Sequence, residues 1–251
     1  ESRLERSAVF LRESVPVEPG DYTVIMSPFA AGIFAHESFG HKSEADFMTG
    51  DETMMREWAM GSRVGSEMLS IADDGTIPGT GYTPFDDEGT PAGRTWLVKN
   101  GMLSGRLHSA STAAALDEEA TGNARSIGFE YEPIPRMTTT FIEAGGRTRE
   151  QLFREVDRGI FVESVLHGSG LSTFTLAPSL AWMIRGGEVA EPVRIAVMTG
   201  SVMETLGRID GLSDEVEIVS IPGGGCGKHE QYPLPVGFGG PHVRVRGLCV
   251  R

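Results

Sequence analysis

Residues 160–198 read IFVESVLHGSGLSTFTLAPSLAWMIRGGEVAEPVRIAVM, a run rich in β-branched, aromatic and other apolar residues. Gly186-Gly187 breaks this run with a pair of residues that is typical of a tight hairpin turn. Consecutive strands joined by short turns pair in the antiparallel direction. The run therefore predicts an antiparallel sheet built from three strands: Ile160–Leu166, Leu171–Ile184 and Val189–Met198.

Further strand signals lie on both sides of this region. Asn100-Gly101 between two apolar segments is a strong sequence signal for a two-residue hairpin. Val243-Arg-Val-Arg246 alternates apolar and basic residues, which predicts a final strand with one exposed face. The 33 glycines are about twice the usual share and favour many tight turns. The remaining predicted strands are Tyr22–Met26 and Val216–Ile221.

Helices are predicted where capping residues precede apolar segments. Ser27 and Pro28 are a typical cap and first residue for a helix that continues to Phe39, with a disturbance at Gly40. Thr148 with Gln151 indicates a capping box for a helix that ends near Gly159. Other helical segments are predicted within 44–60, 108–120 and 199–209. We expect an α+β fold, mostly antiparallel sheet or barrel-like, in one catalytic domain spanning 1–251 with a linker or entry segment at 1–20.

Composition excludes several classes of function. Of the 251 residues, 39% are apolar and 23% are charged, as in ordinary globular proteins. The net charge of −13 repels phosphate backbones and disfavours direct nucleic-acid binding. We expect no membrane span, because no segment reaches the roughly 18 apolar residues that one needs. Two cysteines and no secretory signal at the first residues lead us to expect a cytoplasmic protein.

The segment His36-Glu37-Ser-Phe-Gly-His41 carries the first chemical signal. Two histidines are suitable zinc ligands, and a glutamate beside the first can take a proton from an activated water. On a regular helix, however, residues i and i+5 point about 140° apart and cannot share one ion. Either a π-bulge or an end of the helix near Gly40 would remove this difficulty. Without such a change, the two histidines would be unrelated.

The segment Pro222-Gly-Gly-Gly-Cys226-Gly-Lys228 carries the second signal. It fails as a phosphate-binding loop, because Pro222 stands at the first glycine position and His229 follows the lysine. A cysteine among glycines suits a metal site, because the backbone can approach closely and a thiolate binds zinc. His36, His41 and Cys226 would leave a fourth position for water, as in catalytic zinc sites. Alone, Cys226 would be interpreted as a small buried residue.

Three neighbouring charged residues have open roles. Glu44 is a candidate metal ligand or a carboxylate that orients a histidine, against the alternative of a solvated residue. Asp46 is better explained as a solvated or structural residue. Lys228 is a candidate for stabilising the thiolate or an oxyanion. The other histidines, at positions 108, 167, 229 and 242, are predicted to be surface or core residues.

The sequence resembles the TldD/PmbA family of metallopeptidases from about Tyr22 to Val250. The matching motifs occur in the same order: His36–His41 with Glu44-Ala-Asp46, Thr121-Gly-Asn-Ala-Arg125, Pro133-Ile-Pro-Arg-Met-Thr138, Gly159-Ile-Phe-Val162, Gly225-Cys-Gly-Lys228 with Gln231, and Pro235–Arg244. The metal motif is intact, as in the TldD-like branch of the family. No stretch corresponds to the additional N-terminal domain that family members carry.

The resemblance implies a zinc peptidase with His36, His41 and Cys226 as ligands and Glu37 as the catalytic base. It also implies unfolded or precursor peptides as substrates, and a homodimer or a heterodimer with a related subunit. Two alternatives stay open: a scaffold subunit that binds a partner or peptide without cutting it, and a zinc hydrolase of a non-peptide amide or ester. An intact Glu37 argues against the scaffold, because a structural metal site needs no base.

Overall fold

The computed structural model describes residues 3–221 and 223–251. The first two residues of the predicted entry segment, and Pro222 in the glycine-rich segment, lie outside the described residues. The helices are α1 (Arg3–Glu13), α2 (Pro28–Ala35), α3 (Glu52–Glu57), α4 (Ala110–Leu116), α5 (Arg149–Arg154) and α6 (Val202–Gly207). The strands are β1 (Val15–Pro16), β2 (Gly20–Met26), β3 (Ile71–Asp74), β4 (Arg94–Lys99), β5 (Met102–Leu103), β6 (Ala124–Arg125), β7 (Ile134–Pro135), β8 (Thr139–Ile142), β9 (Arg158–Gly170), β10 (Thr173–Arg185), β11 (Glu188–Arg194), β12 (Met198–Ser201), β13 (Ile209–Leu212), β14 (Glu217–Ser220), β15 (Cys226–Lys228), β16 (Gln231–Leu234), β17 (Gly237–Gly240) and β18 (Val243–Val250).

The larger sheet closes into a barrel. Its strands follow the order β10-β12-β18-β2-β9, and β9 also pairs with β10, so the two ends of the sheet meet. All neighbours in this ring are antiparallel except β2 and β9, which run parallel. The predicted mixed α+β fold with a barrel-like, mostly antiparallel sheet is confirmed.

Helix α2 lies between the barrel and a second sheet, which has the strand order β14-β17-β8-β3-β4-β5. The helix contacts β9 on one side and β17, β8 and β14 on the other. Gly32 makes this close packing possible, because a Cβ at that position would stand 2.5 Å from the backbone nitrogen of Gly239. Any side chain here would push the helix off β17 and displace the residues that follow it.

Several turn and cap predictions are confirmed. Asn100 and Gly101 join β4 to β5 with φ values of 50° and 76°, the left-handed conformations that a tight hairpin turn of this kind needs. Gly186 and Gly187 join β10 to β11. Thr148 caps α5 in a capping box with Gln151. No helix in the described part of the chain has the length and apolar character needed to cross a membrane.

Four predictions differ from the structure. The predicted strand Val189–Met198 is divided, because β11 ends at Arg194 and Met198 begins β12. Helix α5 ends at Arg154, before the predicted Gly159, because Gly159 belongs to β9 and pairs with Thr23. Within 44–60 only Ala45–Phe47, as a 3-10 turn, and α3 are helical. Arg244 is buried at 1% exposure, although alternation predicted an exposed side chain. Its guanidinium is neutralised by Asp210 (2.7 Å) and Glu155 (2.7 Å), so pairing outweighs the alternation of the strand.

The protein is expected to become less stable as the pH falls from 7 to 5, because His242 binds a proton less readily in the folded state than in the unfolded state. The ring packs on Phe161, with centroids 6.1 Å apart, and burial together with the charge of Arg149 lowers its pKa to about 4. An unfolded histidine titrates near pH 6.5. Below that value the unfolded chain therefore binds a proton that the folded ring does not, and stability falls until the pH reaches about 4. Between pH 7 and 5 this group accounts for about 1–2 kcal/mol.

Urea unfolding of the unaltered chain and of His242→Gln, both with chelator present, measures this effect. The variant should show a smaller difference in unfolding free energy between pH 7 and pH 5. Equal pH dependence in the two proteins would contradict the assignment, whatever the absolute stability of the variant.

Candidate metal centre

The first two candidate ligands follow a helix whose local sequence widens it. Helix α2 begins after Ser27, whose Oγ accepts a hydrogen bond from the Ala30 amide at 3.2 Å, and Pro28 is its first residue. It passes into a π-helical turn, His36–Gly40, in which the His41 amide donates to the His36 carbonyl. The predicted π-bulge is therefore present. It brings the two imidazole rings to a centroid distance of 5.0 Å, which a regular helix would not do.

Side chains around this turn explain why it departs from a regular helix. The Ser38 hydroxyl donates to the carbonyl of Phe34, and the Ser43 hydroxyl donates to that of Phe39 at 2.9 Å. Such bonds to the preceding turn bend helices. Gly40 lies against Met137, and a Cβ there would stand 2.0 Å from the Met137 sulfur. The turn is consequently held by its own serines and by the Met137 side chain, which packs in the space that a Cβ at position 40 would occupy.

Cys226, which is 185 positions after His41 in the sequence, lies beside the two histidines. It begins β15, which pairs with β16. The preceding Gly225 lies directly on this partner strand, where a Cβ would stand 2.5 Å from the Leu234 carbonyl oxygen. The Cys226 sulfur is 3.2 Å from His41 Nε2. The glycine-rich segment thus serves close approach of the backbone, as its composition predicts.

His36, His41 and Cys226 offer donor atoms that all lie within 4.8 Å of one another. The set of two imidazoles and one thiol is typical of zinc. His36 Nδ1 is buried and has no hydrogen-bond partner among the described residues. Buried polar atoms are normally satisfied, so this nitrogen is consistent with a site made for a ligand. The residues present therefore fit a zinc ion.

Proton affinities at the centre are strongly shifted. Burial opposes ionisation of the Cys226 thiol, but His36 and His41 outweigh burial and lower its pKa to about 5. Burial likewise disfavours the charged form of His41, but hydrogen bonds with Cys226 and Glu44 raise its pKa to about 10. These opposite shifts favour the thiolate form of Cys226 and the protonated form of His41. The thiolate is the form of cysteine that binds metals.

Glu37 faces a cavity of about 620 Å³ that is also lined by the three donor residues. Burial raises the pKa of its carboxyl group, and His36 and His41 act against that rise. Strand β9 approaches this glutamate closely, because a Cβ on Gly168 would stand 2.8 Å from Glu37 Cγ. A carboxylate of raised pKa beside a metal-donor set suits proton transfer near neutral pH.

Glu44 contacts the His41 ring at Nδ1, the nitrogen that faces away from Cys226. It is fully buried, and its Oε2 lies 3.1 Å from His41 Nδ1 and 3.1 Å from Lys228 Nζ. Burial raises the pKa of Glu44, but His41 and Lys228 outweigh burial and lower it. Lys228 also bonds to Asp46 at 2.6 Å and to the Pro135 carbonyl at 2.9 Å. The solvated alternative for Glu44 is wrong, and Lys228 is engaged by carboxylates and a carbonyl.

Arg136 is a residue of the centre that the sequence did not single out. It is fully buried, and its Nη2 donates to the Cys226 carbonyl at 2.9 Å. Its Nε lies 4.0 Å from Glu44 Oε1. One side chain thus links the cysteine-bearing strand to the carboxylate behind His41. The only sequence signal was its place within the motif Pro133–Thr138, which no spacing rule connects to a metal site.

The other four histidines do not belong to the donor group. His108 is buried and bonds to Glu118 at 2.9 Å, and His242 lies among aromatic rings. His229 is exposed. These three are core or surface residues, as predicted. His167 is exposed as well, but it lines the cavity beside the donors.

Comparisons with known proteins identify the family of this chain. A family model described as the PmbA/TldA metallopeptidase C-terminal domain matches residues 19–251. A metalloprotease of Synechocystis sp. is 41% identical over 236 residues, which cover 93% of this chain and 50% of that protein. A zinc metalloprotease TldD homolog of Saccharolobus solfataricus is 31% identical over 245 residues, or 96% of this chain and 53% of that one.

Among solved structures, TldE from Thermococcus kodakarensis superposes with a TM-score of 0.77 at 22% identity. The match covers 98% of this chain and 54% of that chain, and it shows a shared fold. The chain spans about half the length of the relatives that it matches.

Proposed function

Since the chain belongs to the TldD/PmbA family of metallopeptidases, we propose that it is a zinc-dependent peptidase that hydrolyses unfolded or precursor peptides. One observation carries the proposal: three zinc-type donors lie within 4.8 Å of one another. Glu37 stands beside them in the wall of a cavity that is large enough for a peptide segment. In this proposal, residues 1–251 form one catalytic domain, in which 1–20 serve as a linker or entry segment.

His36, His41 and Cys226 would hold the zinc ion. When bound, zinc supplies a Lewis acid that makes water nucleophilic near neutral pH. Glu37 takes the proton of the attacking water and returns it to the departing amine. Its raised pKa favours the first step, because a carboxylate that is too acidic would accept the proton poorly.

The surrounding charges position the ligands. Glu44 accepts the Nδ1 hydrogen of His41 and thereby turns the other ring nitrogen toward the metal. Lys228 and Arg136 offset the negative charge of Glu44. Lys228 has three partners in this network, so its role is to position Glu44 rather than to bind an oxyanion.

An extended substrate suits the cavity. Four consecutive residues, Leu166 to Ser169 of β9, line it, so the edge of the strand borders the space. Strand β2 pairs with β9 only as far as Val162, and no other described strand pairs with this edge beyond that residue. An unfolded peptide can bind such an edge through its own backbone. Such binding requires an extended segment whose backbone is unpaired, which supports unfolded or precursor peptides as the substrate class.

The whole protein is expected to pair. A homodimer, or a heterodimer with a related subunit, is the assembly that we propose. Zinc is the cofactor, peptides are the substrates, and no membrane or nucleic acid takes part in the reaction.

The function is tested with an unstructured peptide and protein of measured zinc content. Zinc-loaded chain should release fragments that mass spectrometry detects, and chelator should stop the release until zinc is restored. A peptide that stays whole in the presence of fully loaded protein would instead support a scaffold subunit. Cleavage of simple amides or esters, but of no peptide, would support the non-peptide hydrolase.

Replacing Gly168 with alanine is expected to lower hydrolysis about ten- to a hundredfold, because misplacing a catalytic group by about 1 Å has effects of this size. The new Cβ would stand 2.7 Å from Leu176 Cδ2 and 2.8 Å from Glu37 Cγ, so both side chains must move and the base shifts, whereas none of the three ligands is among the nearest atoms. Zinc content and peptide hydrolysis are measured together. Gly146→Ala is the matched control, because a Cβ there meets nothing within 4 Å. Loss of zinc in Gly168→Ala, or full activity, would contradict this account.

A further inference from the structure

The mouth of the cavity is lined by large apolar side chains that water can reach. Leu166 is 74% exposed, Tyr232 is 64% exposed and Ile221 is 36% exposed. They come from β9, from β16 and from the segment after β14, yet all three line the cavity that contains the metal donors. Apolar side chains that converge on one cavity, rather than lying scattered over the surface, indicate contact with a ligand.

The inner wall continues this apolar character and is rigid. Ile33, Val236 and Phe238 line the same cavity. Phe238 is buried, stands edge-on to Phe29 with centroids 5.7 Å apart, and lies 6.5 Å from the His36 ring. A substrate side chain that enters beside the ligands therefore contacts packed apolar residues. Burial against them stabilises a large apolar side chain more than a small one.

The charges of the cavity restrict which part of a peptide it can hold. The described lining residues include no lysine or arginine. Lys228 and Arg136, which contact the ligand-bearing segments, are buried; Lys228 pairs with Glu44, and Arg136 donates to the Cys226 carbonyl. A free terminal carboxylate would find no lysine or arginine among the described lining residues, and the net charge of −13 repels it. A free amino terminus would compete for Glu37, which the reaction needs as a base.

We propose that this cavity cleaves internal peptide bonds next to a large apolar residue, with Leu166, Ile221 and Tyr232 as the side chains that recognise it. This inference rests on the proposed peptidase function. The substrate class is a blocked or internal segment of an unfolded chain, not the free end of a peptide. Apolar segments are normally buried in folded proteins, so such sites become accessible on unfolding.

The test separates binding from cleavage. Unstructured fluorescent peptides carry Leu, Phe, Ala or Asp at one central position, each with free or blocked ends. Their binding to the zinc-loaded Glu37→Gln variant is measured by fluorescence anisotropy, and cleavage positions in the unaltered chain are mapped by mass spectrometry. Leu and Phe peptides should bind about tenfold more tightly than the Ala and Asp peptides. Blocked ends should not weaken binding, and cuts should fall beside the apolar residue.

Leu166→Ser and Tyr232→Ser should each remove most of the preference for the Leu and Phe peptides over the Ala peptide. Leu171→Ser is the matched control, because Leu171 is 45% exposed at the tip of the same hairpin but does not line the cavity. Equal binding of all central residues, no binding at all, or a requirement for a free carboxylate would overturn the proposal. Selective binding without cleavage would leave the subsite in place and refute the peptidase function. Cleavage without preference for the central residue would support the peptidase function and refute the apolar subsite.

Discussion

Peptide hydrolysis is expected to fall by about 10²- to 10⁴-fold in Glu37→Gln, while zinc content stays near that of the unaltered chain. Glutamine keeps the size of the side chain but cannot accept the proton of the attacking water. The three donors belong to other residues, so their separation of at most 4.8 Å should not change. Peptide fragments and zinc per chain are measured on the same preparation, by mass spectrometry and elemental analysis.

Glu67→Gln is the control for this experiment, because Glu67 is an exposed carboxylate paired only with the exposed Arg63 among the described contacts. It should keep both zinc and activity. Hydrolysis that survives in Glu37→Gln would remove Glu37 from the role of base. Loss of zinc together with activity would place Glu37 among the groups that hold the metal.

The second large effect is expected in Cys226→Ser, whose zinc affinity should fall at least about a hundredfold. A hydroxyl does not ionise near neutral pH, whereas the Cys226 thiol has its pKa lowered to about 5 and is a thiolate there. Two histidines alone make an incomplete site. Titration of metal-free protein with zinc, against a competing chelator of known affinity, measures the change. Thermal denaturation adds a second readout, because zinc should no longer raise the melting temperature.

Cys249→Ser is the matched control, because Cys249 is the other free cysteine and lies on β18 outside the donor group. It should bind zinc like the unaltered chain. Unchanged affinity in Cys226→Ser would show that the third ligand lies elsewhere. Glu37 would then be the first candidate, since its carboxyl group lines the same cavity as the two histidines.

Local sequence rules predicted the elements whose signals are local. The cap at Ser27, the hairpin at Asn100-Gly101 and the capping box at Thr148 all depend on neighbouring residues, and all three are present. The spacing of His36 and His41 also required a departure from a regular helix, which the structure contains as a π-helical turn. These features were predictable because their energies arise within a few residues.

Features that depend on distant partners were not predictable in this way. Arg136 acquires its role from the Cys226 carbonyl, 90 positions away, and no composition or spacing rule indicates that contact. Gly168 matters because it borders Glu37, which the strand pattern does not reveal. Arg244 was placed on an exposed face because alternation ignores Asp210, which neutralises it inside the fold. In each case tertiary pairing decides the environment of the residue.

The separation of the metal donors along the chain has a mechanical consequence. His41 and Cys226 are 185 positions apart, so an ion bound by both would act as a reversible crosslink across most of the described chain. Closing a loop of that length restricts the unfolded chain by on the order of 5 kcal/mol in the chain-entropy model of crosslinks. An ion needed for catalysis would thus also hold the segments around His41 and Cys226 together. Its removal would lower the stability of the fold as well as abolish hydrolysis.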